Sequence, residues 1–325
     1  IITDLFFPRL CRYFGSKTLT ILGLLFYTIG GCLAGAFDDI YLLLGARALV
    51  GIGVGIIMPL STGLLSFYFP PQDQERLMGY SSAMNQLGGA VATLLSGLLA
   101  AISWRASFLV YALGLICFVL CLLFLPNERI PQHSAENKSR PLRENYRYIV
   151  AIFLLMLTFF IYPASFAMEI KAEGIIPQHF IAVIMAFMDL VALAGGLLFV
   201  RFKLLLGRKI RFLAPVLFFC GYLLLAFVGG WFGALLGSFM VGLANGAGIP
   251  FIISAASIKA GKTAATTVMP LLSAALYSAQ FITPIFLGAL TLICGDITHL
   301  PYYAAIALGG LFILWSHNLG VDEAA

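Results

Sequence analysis

Arg47 and Asp189 are the two charged side chains that fall well inside long apolar runs of this 325-residue chain. A charge at the centre of a membrane helix costs about 2.5 to 3.5 kcal/mol on insertion scales, so such residues mark a function or a partner. Asp189 lies ten positions after His179, near the middle of its run, where a short side chain cannot reach the membrane surface. A lone carboxyl group there can take up and release a coupling proton, or it can be a structural Asp bonded to a neighbouring helix. Arg47 sits roughly 10 Å below the edge of its run, on one face with Gly51 and Gly55. It either snorkels toward Asp38 and Asp39 or stays as a fixed cation that holds a carboxylate deprotonated until substrate arrives. Uncharged polar side chains at mid-run, Asn85, Gln86, Tyr162 beside Pro163, Asn245, Tyr277 and Gln280, can line a cavity or bond between helices.

The elements that hold these residues follow from composition. Hydrophobic residues make up 61% of the chain and charged residues 10%, against about 25% charged in soluble domains. So few charges cannot cover a water-soluble surface. Soluble enzymes, nucleic-acid binders and disordered chains are therefore excluded, and the net charge of +5 speaks to membrane topology. A spanning helix uses about 20 apolar residues, and the apolar runs predict ten helices: 18–37, 41–68, 77–101, 106–125, 148–169, 179–200, 211–229, 231–258, 264–293 and 298–317. Barrel strands would need short alternating segments instead.

Cationic residues test this count, because Lys and Arg gather in cytoplasmic loops. Alternate loops place sixteen of them on one side and only Arg105 and Lys171 on the other. Both ends of the chain and the polar segment 126–147 then face the cytoplasm. Four helices precede that segment and six follow it, so the organisation reads as a first helical part over 1–125, a loop over 126–147 and a second helical part over 148–325.

An internal repeat accounts for the unequal split. Gly51, Gly55 and Pro59 recur as Gly242, Gly246 and Pro250 at an offset of 191 residues. Gly15, Ser16 and Lys17 recur as Gly207, Arg208 and Lys209 at an offset of 192, and Gly97 recurs as Gly288 at 191. Ordered matches at one offset indicate a duplicated unit, so the first copy is expected to lack two helices, and a chain that opens on Ile1 is expected to start inside a longer protein. Small residues four apart let helix backbones approach closely in lipid, and Pro59 and Pro250 loosen their helices.

Other chemistries find little support. The six cysteines stand singly in or beside apolar runs, without CxxC or His at metal-ligand spacing. His133, His179, His299 and His317 are far apart and near loops or run ends, and there is no HExxH, GxSxG or P-loop. The run Gly51 to Gly55 lacks the GxGxxG spacing, the preceding strand and the following acid of a dinucleotide site. Neither a cofactor nor a metal is expected, and no cleavable signal opens the chain.

Two related helical halves joined by a basic loop resemble the major facilitator superfamily, a repeat-built transporter fold. Pro8 to Lys17 sits where that superfamily carries the loop GxLaDRxGRK; Leu10, Gly15 and Lys17 match, while Arg12 replaces the Asp of the usual gating salt bridge. The second copy keeps Gly207, Arg208 and Lys209. Arg47 with Gly51, Gly53 and Gly55 resembles the fourth-helix RxxxGxGxG motif of proton-coupled exporters. The run Gly79 to Gly97 is similar to the fifth-helix antiporter motif, with Gly79 and Gly88 nine apart but without its Pro, and Trp104, Arg105 and Phe108 resemble the WRxxF that opens the sixth helix.

The resemblance covers the chain as helices three to twelve of twelve and is closest to the twelve-span drug:proton antiporters. It implies an all-α polytopic membrane protein in a plasma or bacterial inner membrane, a monomer, coupled to protons and working by alternating access. It also implies a cavity in which Met58, Tyr162 and Asn245 are favoured. The expected function is proton-coupled export of a small amphipathic organic compound. The alternatives are a facilitator or importer of a polar metabolite, or a membrane receptor or assembly subunit that transports nothing.

Overall fold

A computed structural model describes residues 2–100, 102–127, 140–261, 268–295 and 297–320. Among these, eleven α-helices follow one another: α1 (Ile2–Tyr13), α2 (Ser16–Leu33), α3 (Ile40–Tyr68), α4 (Pro71–Ala100), α5 (Leu113–Phe124), α6 (Arg140–Glu173), α7 (Gln178–Leu206), α8 (Leu213–Phe227), α9 (Gly230–Ala260), α10 (Met269–Cys294) and α11 (Leu300–Ser316). No strand occurs among the described residues. Each of the ten expected runs coincides with helix. The difference at the start is α1, which occupies most of the segment expected as a loop, so that only Phe14 and Gly15 separate it from α2. The 106–125 run opens with a 3-10 segment over Ala106–Ala112 before turning α-helical.

Among the described residues, seven segments are long and apolar enough to cross a membrane. The count falls below ten for three reasons. The runs of α7 and α8 join as one apolar stretch, Val183–Phe227; α11 has 17 residues; and α4, several of whose side chains lie outside the described residues, is not among the seven.

Local chemistry sets the breaks. Asp39 caps α3 by accepting the backbone N–H groups of Tyr41 (2.7 Å) and Leu42 (3.2 Å). Pro70 and Pro71 separate α3 from α4, Pro71 occupying the first helical position, where its missing N–H is harmless. Gly207 ends α7 at φ 49°, a left-handed conformation that other residues adopt at a cost. Its repeat partner Gly15 has φ −71° and precedes a helix instead, so the two sequence matches serve different turns.

The helices form two compact units. One contains Ile1–Pro70, Gly88–Arg143 and Ala260–Ala274; the other contains Pro71–Leu87, Glu144–Lys259 and Ala275–Ala325. In the first, α2 crosses α3 through glycines: a methyl group at Gly30 would lie 2.7 Å from the Ala46 carbonyl oxygen, and one at Gly53 2.6 Å from that of Gly23. Phe7 and Cys11 of α1 fill the adjoining core with Leu19, Ile56 and Leu60. In the second, Tyr222 of α8 donates to the Thr158 carbonyl of α6 (2.7 Å) and packs on Tyr302 of α11, all three residues being buried.

Candidate functional site

In the second unit α7 carries Asp189 where α9 passes closest. A methyl group at Gly242 would collide with the Met188 carbonyl, and one at Gly246 with that of Ala192. The second copy of the glycine stripe is thus a backbone contact whose two ends bracket Asp189. The Asp189 side chain is half-buried and, among the described residues, has no hydrogen-bond or ion-pair partner. It lies within electrostatic reach of Tyr162. Tyr162 is fully buried on α6, stacks on Phe166 with ring centroids 4.4 Å apart and shares a 2.6 Å hydrogen bond with Ser238 of α9. Two turns along the same helix, Asn245 is buried with an unpaired Oδ1. In α4, Gln86 holds a buried, unpaired Nε2. Carboxyl, hydroxyl and amide groups are therefore held in otherwise apolar helices, the kind of sparse polar set that orients a small molecule.

In the first unit Arg47 of α3 does not reach toward the acids before its helix. Its guanidinium donates to the Tyr111 hydroxyl at 2.7 Å and lies over the Phe108 ring, 4.8 Å from its centroid. Asp38 pairs instead with Arg105, and Asp39 is used as the helix cap. Tyr111 in turn packs on Tyr27 at 5.1 Å and is seated against Gly31, where any side chain would collide with its ring. Trp104 meets Phe108 edge-on at 6.1 Å. The WRxxF residues thus position the aromatic face against which Arg47 rests, with a cation–π component of about 0.5 to 2 kcal/mol.

The glycines of the first copy behave differently from those of the second. A methyl group at Gly51 would meet nothing within 4 Å among the described residues, whereas one at Gly55 would press on Thr3 of α1. The reason is helical phase: Gly53, buried against α2, lies two positions from Gly51 and therefore on the far side of α3. Gly88 is likewise open, and the surroundings of Gly97 lie outside the described residues. Pro59 and Pro250 are buried inside helices that continue through them. Lys17 is half-buried; Gly207, Arg208 and Lys209 are exposed. Of the remaining polar candidates, Asn85 and Gln280 are exposed, and Met58 and Tyr277 are half-buried.

One cluster in the second unit was not singled out by residue type. Glu75 of α4 forms an ion pair with Lys203 of α7, both side chains being less than a fifth exposed. Beside it the Ser257 hydroxyl donates to Gln74 Oε1 at 2.7 Å. A turn further along, Gly79 and Gly196 bring the backbones of α4 and α7 together, a methyl group on Gly79 falling 2.8 Å from the Gly196 carbonyl oxygen. In sequence Glu75 is one charge in a polar run and Lys203 one cation of a basic loop; only their pairing sets them apart.

Apolar helices of spanning length that keep a few polar groups at mid-run define a polytopic membrane protein. The Major Facilitator Superfamily profile matches residues 1–284, and the chain belongs to that superfamily of transporters. It is similar to the riboflavin transporter RibZ of Clostridioides difficile, 29% identical over 139 residues that cover 42% of this chain and 30% of that protein. It is also similar to multidrug resistance protein 3 of Bacillus subtilis, 24% identical over 198 residues, 51% of this chain and 36% of that protein. The chain therefore spans about a third of the length of these relatives. The fold is shared with the fucose transporter FucP in its outward conformation, with a TM-score of 0.77 at 13% identity over 99% of this chain and 87% of that one. The chain belongs to a family of transporters rather than of enzymes.

Proposed function

We propose that the protein exports a small amphipathic organic compound in exchange for protons by alternating access. The observation that carries this reading is Asp189, half-buried where α7 meets the α9 glycines and free of a hydrogen-bond or ion-pair partner among the described residues. A carboxyl group committed to a structural hydrogen bond would be poorly placed to load and unload a proton; an uncommitted one is well placed. Tyr162, Ser238, Asn245 and Gln86 supply the polar contacts to substrate, and the unpaired Asn245 and Gln86 atoms gain about 1 to 3 kcal/mol each on finding a partner. Met58, Asn85, Tyr277 and Gln280 are further candidates for substrate contact. Arg47, held by Tyr111, serves as the fixed cation of the first unit.

Residues 1–125 and 148–325 act as the two rocking halves, linked by 126–147. By the distribution of Lys and Arg, both ends of the chain and the linking segment are cytoplasmic. The signature loop carries Arg12 in place of its Asp, and the Glu75–Lys203 pair joins α4 to α7 within the second unit. Drug export is supported by the likeness to multidrug resistance protein 3. The likeness to a riboflavin transporter supports a second reading, import or facilitated passage of a polar metabolite.

The test is ethidium movement in proteoliposomes under an imposed pH gradient. Gradient-driven movement lost in Asp189→Asn supports coupled export. Ethidium movement absent in the intact protein, with riboflavin uptake present, supports the second reading.

A further inference from the structure

At the end of the helices opposite the Arg201 to Arg211 segment, three chain regions converge on one imidazole. Glu169 and Glu173 stand one turn apart on the last turns of α6, and His299 immediately precedes α11. His299 Nδ1 lies 2.9 Å from Glu169 Oε2 and its Nε2 3.9 Å from Glu173 Oε1, and all three side chains are less than a fifth exposed. The Nδ1 contact is within ion-pair range without the alignment of a hydrogen bond. Glu169 also accepts the His299 backbone N–H (3.2 Å), and Glu173 that of Gly230 at the start of α9 (3.4 Å). Tyr302 of α11 stacks on the imidazole at 5.7 Å; its ring is fully buried and its hydroxyl has no hydrogen-bond partner among the described residues. Tyr222 of α8 packs behind Tyr302. His299 is the one non-glycine described residue with positive φ, at 63°.

Both ring nitrogens of His299 face carboxylate oxygens. A neutral imidazole has one N–H and one lone pair, so one of its nitrogens would set a lone pair against a carboxylate; an imidazolium carries N–H and positive charge toward both, as the two ion-pair distances require. We propose that Glu169, His299 and Glu173 form a proton-binding site, in which His299 takes a proton from the adjoining water onto a ring nitrogen and thereby ties the end of α6 to the start of α11. Loss of that proton leaves two carboxylates facing one another across a neutral ring, and the tie loosens. Histidine suits this role because its neutral ring becomes a cation on taking up a single proton. The site is distinct from Asp189 and from the Glu75–Lys203 pair. It rests on the proposed export reading only for the side from which the proton arrives.

The test is hydrogen exchange of the full chain in lipid nanodiscs, read on the amides of residues 297–303 and corrected for intrinsic exchange. No substrate or gradient is present, so failure of coupled transport leaves the result interpretable. In the unaltered protein, protection at pH 5.5 is expected to exceed that at pH 8 by at least tenfold. His299→Asn, which tolerates the left-handed backbone, and Glu169→Gln, a near-isosteric change within α6, are each expected to abolish that difference. His299→Lys, with a charge fixed over this range, keeps protection at both pH values. Protection independent of pH in the unaltered protein, or a pH dependence that survives in both His299→Asn and Glu169→Gln, overturns the proposal.

Discussion

Lys203, in the last turn of α7, forms an ion pair with Glu75, in the second turn of α4, across a sequence separation of 128 residues. Both side chains are mostly shielded from water, so removing one charge strands the other, at a cost of up to about 3 kcal/mol. Glu75→Gln and Lys203→Gln are each expected to lower the thermal midpoint of the detergent-solubilised protein. The reversal Glu75→Lys with Lys203→Glu should recover at least half of the loss. Fluorescence-detected unfolding checks this.

The glycine stripes separate in the same assay. Gly246→Val drives a branched side chain into the Ala192 carbonyl and is expected to cost more than the ~1 to 3 kcal/mol typical of overpacking. Gly51→Ala meets nothing within 4 Å and should be neutral or stabilising by up to ~1 kcal/mol, since alanine is the better helix former. Equal effects at the two positions would contradict the unequal packing described above.

Arg47 is held by a hydrogen bond to Tyr111 and by the ring faces of Phe108 and Tyr111. Tyr111→Phe removes the 2.7 Å bond while keeping the ring, and a lost bond to a charged group is worth about 1.5 to 3 kcal/mol. Ethidium efflux is expected to fall roughly tenfold, and further in Arg47→Lys, because an ammonium cannot reproduce the planar stacking on Phe108. Retention of full efflux by Arg47→Lys would show that charge alone suffices.

Tyr162 and Ser238 share a buried hydrogen bond. Tyr162→Phe leaves the Ser238 hydroxyl to find another partner, and Ser238→Ala frees the phenol. If the pair contacts substrate, both changes should alter apparent ethidium affinity several-fold with little change in expression. A loss of folded protein without any change in affinity assigns the pair to packing alone.

Much of the helix order was legible in the sequence, because long apolar runs interrupted by charged loops have few other outcomes in lipid. Asp39, Pro71 and Gly207 mark their helix ends by chemistry that a reader can recognise. The signature-loop resemblance places Pro8 to Lys17 in a loop, yet Pro8 is accommodated inside α1, which runs to Tyr13, and Phe7 and Cys11 are buried in a core with residues of α2 and α3. The stripe Gly242, Gly246 did mark close packing, but its repeat at Gly51 did not, since the helix face that α2 covers is set by Gly53. Contacts that depend on the folded arrangement were not legible. Glu75 with Lys203, Arg47 with Tyr111 and His299 with Glu169 are joined across 128, 64 and 130 residues. No local pattern encodes such pairings: Arg47 stood out as a charge inside an apolar run, but its partner Tyr111 did not, nor did either member of the other two pairs.

Whether Asp189 carries the coupling proton is decided by ethidium movement in proteoliposomes, compared between the unaltered protein and Asp189→Asn. An imposed pH gradient is expected to accelerate movement in the unaltered protein, and Asp189→Asn is expected to abolish this acceleration while equilibrium exchange of ethidium continues. Full gradient-driven movement in Asp189→Asn would contradict that role.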